Sequence, residues 1–538
     1  MRAIVIATFV SVGCSSAEQQ PAPTLEITSP ERGTIANTGQ ITVAGHALHA
    51  SRVTVNGTDV PAGVDGTFST TIDVGTGIGI IETHAISGSD DVRDVRAVLA
   101  GPTAPTDGKL KAPLGAYASL AALKDIGSAM ATEAKGIDYT AAVQPLNPVY
   151  NNTGCLGAKI DITSVALGAV DVGIAPSGTA LATDVTIHDV VVKLHADYKV
   201  ACIGGSTTIT VTSSAAHLHG SLGAGVTSGA IKTSIGSVTV ALDAFAIDVG
   251  GVPSAIESLF DSTVRGKVES ALTGVIHDKV PAIADHALAG LVAKPLKASI
   301  LNYPTTITAT PTAASVSATG LFVTVDTTVV VSGADAMALS RPMPMTAALL
   351  ADSKGVGLAL SADAINQLLA GLWDVGAFDQ NLPIASVGAL AAILDSHATT
   401  LKVTLSLPPT VTTSDAGLEL ALGDVIVTTR DAQDLQVQQL ALSAKTTLKT
   451  GPSQTGKLLL TVGTPEIHAQ VLAQRDDVER PLGDTEVEGI VTSVWSLVGD
   501  SAGQALAKLP LPELAGIHLG APAVTGKSGY LVADIALK

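Results

Sequence analysis

At 538 residues the chain exceeds what one hydrophobic core organises, and two to four domains are expected. It is 46% hydrophobic but only 3% aromatic and 14% charged, so Val, Leu, Ile and Ala must fill its cores. That composition favours curved sheets over a nucleotide-binding scaffold. The formal charge of −18 argues against nucleic acid, whose phosphates need clustered cations, and against electrostatic capture of anionic lipid headgroups.

The chain opens on an apolar run, Ala3 to Val12, that follows Arg2 and ends at Gly13-Cys14, the pattern of an export signal. No run is long enough to span a bilayer. Ser11-Val12-Gly13-Cys14 resembles a bacterial lipoprotein box, with Ser11 standing where the pattern carries Leu. The resemblance implies a signal over residues 1–14, acylation of Cys14, and anchorage to a membrane through that residue. It places the protein as an outer-membrane lipoprotein facing the periplasm or the cell surface, and Ser15 is compatible with that sorting. A secretory signal with an incidental Cys is the alternative. Residues 15–24 make a polar tether whose Pro and Gln discourage compact structure. If Cys14 carries lipid, Cys155 and Cys202 remain as an even pair for one disulfide; two buried free thiols are the other possibility.

Residues 25–99 read as a small all-β sandwich. Strand-like runs at Gln40–Gly45, Arg52–Asn56, Thr67–Asp73 and Ile80–Ala85 are separated by the turn signals Asn56-Gly57 and Asp65-Gly66. VTVNGTDVPAGVDGTFSTTIDV resembles bacterial immunoglobulin-like domains, which implies a spacer or adhesive element. A Pro/Gly/Lys linker is expected over residues 100–113.

The remainder holds two versions of one plan. In the first, 114–335, a helix is expected over Leu114–Ala134 and strands over about 160–249. A long helix then opens at Ser254 with a capping box reaching Glu257. Thr305–Val331 alternates as strands of a shared central sheet. In the second, 336–538, Ser361 sits where an N-cap belongs and Asp363 suits the helix dipole. Ile365, Leu368, Leu369 and Leu372 recur at helical spacing, and strands follow from about Leu401 to Gln470. Leu405–Val427 alternates apolar and polar residues like a half-buried strand, and a last helix starts near Thr485 with a capping box to Glu488.

Three stretches carry a resemblance to a known family: GVGLALSADAINQLLAGLWDVGAF at 355–378, LSLPPTVTTSDAGLELALGDVIV at 405–427, and the closing run Leu509–Leu537. Together they resemble the bactericidal/permeability-increasing, lipopolysaccharide-binding and cholesteryl-ester-transfer family, over roughly Lys109 to Lys538. The resemblance implies an α+β body of two tandem tubular barrels, each a curved antiparallel sheet wrapped around a long helix, joined by a central sheet. It also implies one disulfide in the first barrel. Its antibacterial members present a cationic tip; this acidic chain has no obvious equivalent, which points to a neutral or zwitterionic acyl lipid such as a phospholipid.

Residues that would line the channels come from the helix faces: Ile256, Leu259, Phe260, Leu272 and Ile276 in one barrel, and Leu368, Leu369, Leu372, Trp373, Val494 and Trp495 in the other. The same stripes would equally fill a solid core, and a surface-anchored structural or adhesive protein is the rival reading. A diacyl lipid in water exposes its chains at about 0.8 kcal/mol per methylene, a barrier on the order of 20 kcal/mol that an aliphatic sleeve removes.

Other chemistry is weaker. Gly499-Asp500-Ser501-Ala502-Gly503 matches G-x-S-x-G, but a helical stripe precedes it and too little chain follows to complete a hydrolase sheet around Ser501. No enzyme is expected. His217 and His219 would share one face of a strand and could begin a metal site, whereas His188 and His195 would face oppositely on a continuous strand. Asp59, Asp65, Asp90, Asp91 and Asp94 lack the spacing of a calcium loop. No cofactor is implied.

Overall fold

The computed structural model describes residues 21–250, 254–292, 295–387, 391, 394–414, 417–451, 459–489, 491–492 and 519–537. Two compact units divide the chain, residues 1–100 and 101–538. The protein is mostly sheet with few helices. No helix among the described residues is long and apolar enough to cross a membrane.

In the first unit, β1 (Thr24–Ser29), β2 (Thr34–Ala36), β3 (Gln40–Leu48) and β4 (Arg52–Val55) are followed by β5 (Thr58–Val60), β6 (Thr67–Asp73), β7 (Gly77–Ser87) and β8 (Asp90–Ala100). They form a three-stranded sheet, β1-β3-β6, and a five-stranded sheet, β2-β8-β7-β4-β5. Alternation buries one face of each: Ile27, Ile41, Val43 and Phe68 from the first meet Val53, Val55, Ile81 and Val98 from the second. Asn56 and Gly57, with φ of 47° and 74°, make the tight turn between β4 and β5, a conformation that Asn and Gly tolerate.

In the second unit, β9 (Thr103–Pro105) and β10 (Leu110–Ser119) occupy much of the stretch expected as a linker. Residues 114–119, expected as helix, are also strand, because they pair on both sides within a sheet. The helix α1 (Leu120–Ala134) begins only after Ser119, whose Oγ accepts from the Ala122 N–H. After α2 (Tyr139–Val143) come β11 (Tyr150–Asn151), β12 (Leu156–Ala166), β13 (Val170–Ser177), β14 (Ala180–Val200) and β15 (Ile203–Thr227). Then follow β16 (Ala230–Ile235), β17 (Thr239–Asp243), β18 (Ala246–Val249) and the 36-residue α3 (Ser254–Ala289). The half closes with β19 (Leu296–Ile300), β20 (Tyr303–Ser317) and β21 (Gly320–Val331).

The second half repeats this order. β22 (Met337–Leu339) pairs with β9, and β23 (Val356–Ser361) leads into α4 (Ala362–Asp374) through the expected cap, with Ser361 Oγ accepting from the Asp363 N–H at 3.1 Å. Next come β24 (Gln380–Pro383), β25 (Thr400–Leu405), β26 (Thr410–Ser414), β27 (Gly417–Arg430), β28 (Gln436–Gly451), β29 (Leu459–Val462) and β30 (Glu466–Gln474). Residues 484–489 and 491–492 are helical, and the unit ends on β31 (Leu519–Lys527) and β32 (Tyr530–Leu537). Leu405–Val427 is therefore the end of one strand plus a hairpin, broken at Pro408-Pro409, not a single strand. The last helix starts at 484, so Thr485 lies in its first turn and is not the cap; Asp484 and Glu488 accept from the Val471 and Ala469 N–H groups of β30.

A seven-stranded antiparallel sheet, β19-β20-β21-β10-β23-β32-β31, joins the halves. β10 is its central strand and pairs with β23, and each of the two is followed by a serine-capped helix.

Each half also has its own sheet with a crease. In the first, β13 pairs with the start of β14 and β12 with its end, while β17 and β18 pair in the same way with β15. At the crease Asp189 has φ 51° and Ala244 φ 49°. Buried positions on β14 switch there from Leu181, Val185 and Ile187 to Val190, Val192 and Leu194, so the apolar face stays inward across the bend. In the second, β25 and β26 meet β27 on either side of Asp424, φ 45°.

Candidate functional site

The first half packs its creased sheet, α1, α3 and strands β10 and β21 around one apolar core. On α1, Leu123, Ile126, Met130 and Ala134 recur at helical spacing and are buried. On α3, Val264, Val268, Leu272, Ile276, Ile283 and Ala287 do the same. Polar contacts fix the rim. Asp285 of α3 accepts from the Thr233 N–H and from Lys232 Nζ on β16, at 2.6 and 2.9 Å. His286 meets Glu133 of α1 at 3.0 Å, and the Arg265 guanidinium lies 5.1 Å from the centre of the Phe245 ring.

An apolar cavity of about 40 Å³ lies where α1, α3 and strands β13 and β14 meet. Met130 and Ala134 come from α1, Val170 and Val172 from β13, Val185 and Ile187 from β14, and Val275, Ile276, Val280 and Ile283 from α3; Ile137 joins them. Only Tyr139 and Lys279 bring polar groups to it. Tyr139 donates its hydroxyl to the Ala134 carbonyl at 3.0 Å, which ends α1, and burial raises its pKa. Lys279 is exposed at the rim. At about 10–15 Å³ for each water-sized group, a space of about 40 Å³ holds only a few such groups and no extended acyl chain. A wider, open groove of about 490 Å³ on α3 is lined by Glu269, Ser270, Thr273, His277 and Asp278 together with Val240, Gly266 and Gly274.

Of the expected lining residues, Ile276 faces the cavity and Leu272 is buried in the same core. Ile256, Leu259 and Phe260 lie on the first turns of α3, and their side chains fall outside the described residues. On α4, Leu372 is buried and Leu368 half-buried, while Leu369 packs with Ile365 on Val411 and Leu418. Trp373 Nε1 donates to the Leu405 carbonyl at 2.7 Å. That face is thus packed against its own sheet. Val494, Trp495, Cys14 and the Ser501 motif fall outside the described residues. The alternation of Val170, Val172, Val185 and Ile187 could have flagged the sheet wall of the cavity; Lys279 carries no such signal.

Cys155 and Cys202 form a disulfide, linking the residue before β12 to the β14–β15 turn, where the Cys202 N–H also donates to the Cys155 carbonyl at 3.1 Å. His217 and His219 share the outer face of β15: His217 contacts Asp243 at 3.1 Å and Thr186 at 3.2 Å, and His219 contacts Asp184. His188 and His195 also share the outer face, contrary to expectation, because the crease at Asp189 shifts the alternation between them. His188 pairs with Asp171 and His195 with Asp197. Among the described residues no group of three or more His, Cys, Asp or Glu is placed to hold a metal. In the first unit Asp59 pairs with Arg52, Asp91 with His84 and Asp94 with Arg96, while Asp65 caps its turn through Thr67.

The second half holds a buried polar clamp. Asp395 accepts from the His397 N–H at 3.0 Å, His397 Nδ1 at 2.6 Å and the Arg480 N–H at 3.0 Å. Burial opposes its ionisation, but these donors outweigh it and bring the carboxyl to about 2. Ser396 donates to Glu479 at 2.7 Å, and among the described residues no hydroxyl is hydrogen-bonded to His397. Asp363 is pushed the other way by burial, although the Arg341 N–H donates to it.

No curated protein matches the sequence. Among solved structures, the chain is similar to lipopolysaccharide binding protein, at 11% identity over 80% of this chain and 99% of that one, with a TM-score of 0.43. It is also similar to P47 of Clostridium botulinum E1, at 9% identity over 80% and 100% with a TM-score of 0.29, and to latherin, at 16% over 31% and 82% with 0.20. Within the first unit, residues 23–98 match the family model described as glucodextranase, domain B.

Proposed function

We propose that this protein is an exported, non-enzymatic envelope lipoprotein, anchored through Cys14, that binds or transfers acyl lipids. Each half of the longer unit is read as a tubular barrel, with lipid seated between its helices and its creased sheet. The observation that carries this is the cavity between α1, α3 and β13–β14, whose wall is aliphatic apart from Tyr139 and Lys279. A polar or catalytic ligand would find almost nothing to hold there; an acyl chain finds methyl and methylene contacts throughout. Because the space is only about 40 Å³, binding requires α1 or α3 to lift from the sheet, with about 0.8 kcal/mol per buried methylene available to drive it.

The small volume favours one rival, a surface-anchored structural or adhesive protein with solid interiors. Mass spectrometry of gently purified full-length protein separates the two. Co-purifying lipid in stoichiometric amount is expected; lipid-free protein that also takes up no labelled phospholipid or fatty acid would sink the lipid reading.

A further inference from the structure

We infer that the cavity between α1, α3 and β13–β14 selects single-chain amphiphiles with an anionic head, long-chain carboxylates above all, and that Lys279 is the residue that recognises the head. This rests on the lipid reading and narrows it to a ligand class. Overall charge pointed to a neutral ligand, but the one charged side chain that lines this cavity is a cation, Lys279. Neighbouring carboxylates are engaged elsewhere: Glu133 by His286, Asp285 by Lys232 and Thr233. Lys279 lines the cavity, and no ion pair holds it among the described residues. Its four-carbon stem can lie along the apolar wall while the ammonium stays in water. No carboxylate lines the cavity to oppose an incoming anion. The cramped volume adds a second constraint, because parting one seam for a single chain displaces less packed side chain than making room for two.

Full-length protein, freed of lipid, is titrated with labelled hexadecanoate and hexadecanol at pH 8, in low and high salt. Wild type is expected to favour the acid about three- to tenfold, with the preference shrinking as salt rises. Lys279→Gln should bring the ratio close to one and Lys279→Glu below it. Lys193→Gln, on the outer face of β14, should keep the wild-type ratio. Equal binding of acid and alcohol by wild type, or an unchanged ratio in Lys279→Gln, overturns the headgroup inference while leaving lipid binding intact. Failure of both ligands to bind while labelled phospholipid is taken up overturns the single-chain inference; failure of phospholipid as well overturns the lipid reading itself. Fluorescence of the two tryptophans, both in this unit, confirms that each variant is folded.

Discussion

Replacing Cys155 and Cys202 together by Ser tests how the long β14–β15 hairpin is held. The two cysteines are 47 residues apart, so the cross-link closes a large loop of the unfolded chain. The loop-closure relation gives about 4 kcal/mol of stabilisation for that span at 25 °C. Little of this should come from native contacts, because the pairing Leu156↔Val200 and the Cys202-to-Cys155 backbone hydrogen bond need no sulfur. Urea unfolding followed by tryptophan fluorescence reports on this unit alone, since Trp373 and Trp495 are the chain's two tryptophans. The expected result is a clearly lower midpoint for the Ser/Ser variant, with native fluorescence unchanged before the transition. A midpoint equal to wild type would refute the reasoning, because it would mean that the tether does not restrict the unfolded ensemble.

Two further outcomes are expected. The carboxyl of Asp395 sits at about 2 in the folded protein, below its ordinary value of 3.8, so its clamp adds stability above about pH 4 and loses it as pH falls toward 2. That contribution is on the order of 2 kcal/mol, and Asp395→Asn should lower stability at pH 7 while flattening the acid limb of a stability-versus-pH curve. At the crease, Asp189→Val places a β-branched residue at φ 51° and should cost about 1–2 kcal/mol, measurable by thermal unfolding, whereas Asp189→Gly should cost much less.

Where local chemistry decides, the sequence was legible. The Ser361 cap, the Asn56-Gly57 turn and the first unit's strands rest on short-range rules, and the structure shows them. The misreadings have physical causes. Residues 114–119 are small and apolar without a period, so strand and helix look alike until the partners β21 and β23 are known. Leu405–Val427 alternates through both arms of a hairpin, and only Pro408-Pro409 marks the break. The facing of His188 and His195 depended on one residue, Asp189, taking a left-handed conformation that periodicity cannot reveal. The candidate site was half legible. Ile276 belongs to a readable stripe, but the cavity's volume depends on how closely α1 and α3 settle on the sheet, which no pattern of residue types records.

The pairing of β10 with β23 makes each half the other's edge protection. Cutting the chain between the halves would strip a partner from both strands and leave two rows of unsatisfied backbone donors and acceptors. Because β10 and β23 run antiparallel and occupy equivalent places in the two halves, a severed half could offer its bare edge to a second copy of itself. Domain dissection would then yield homodimers that restore the lost ladder, and their apparent monomer stability would depend on protein concentration.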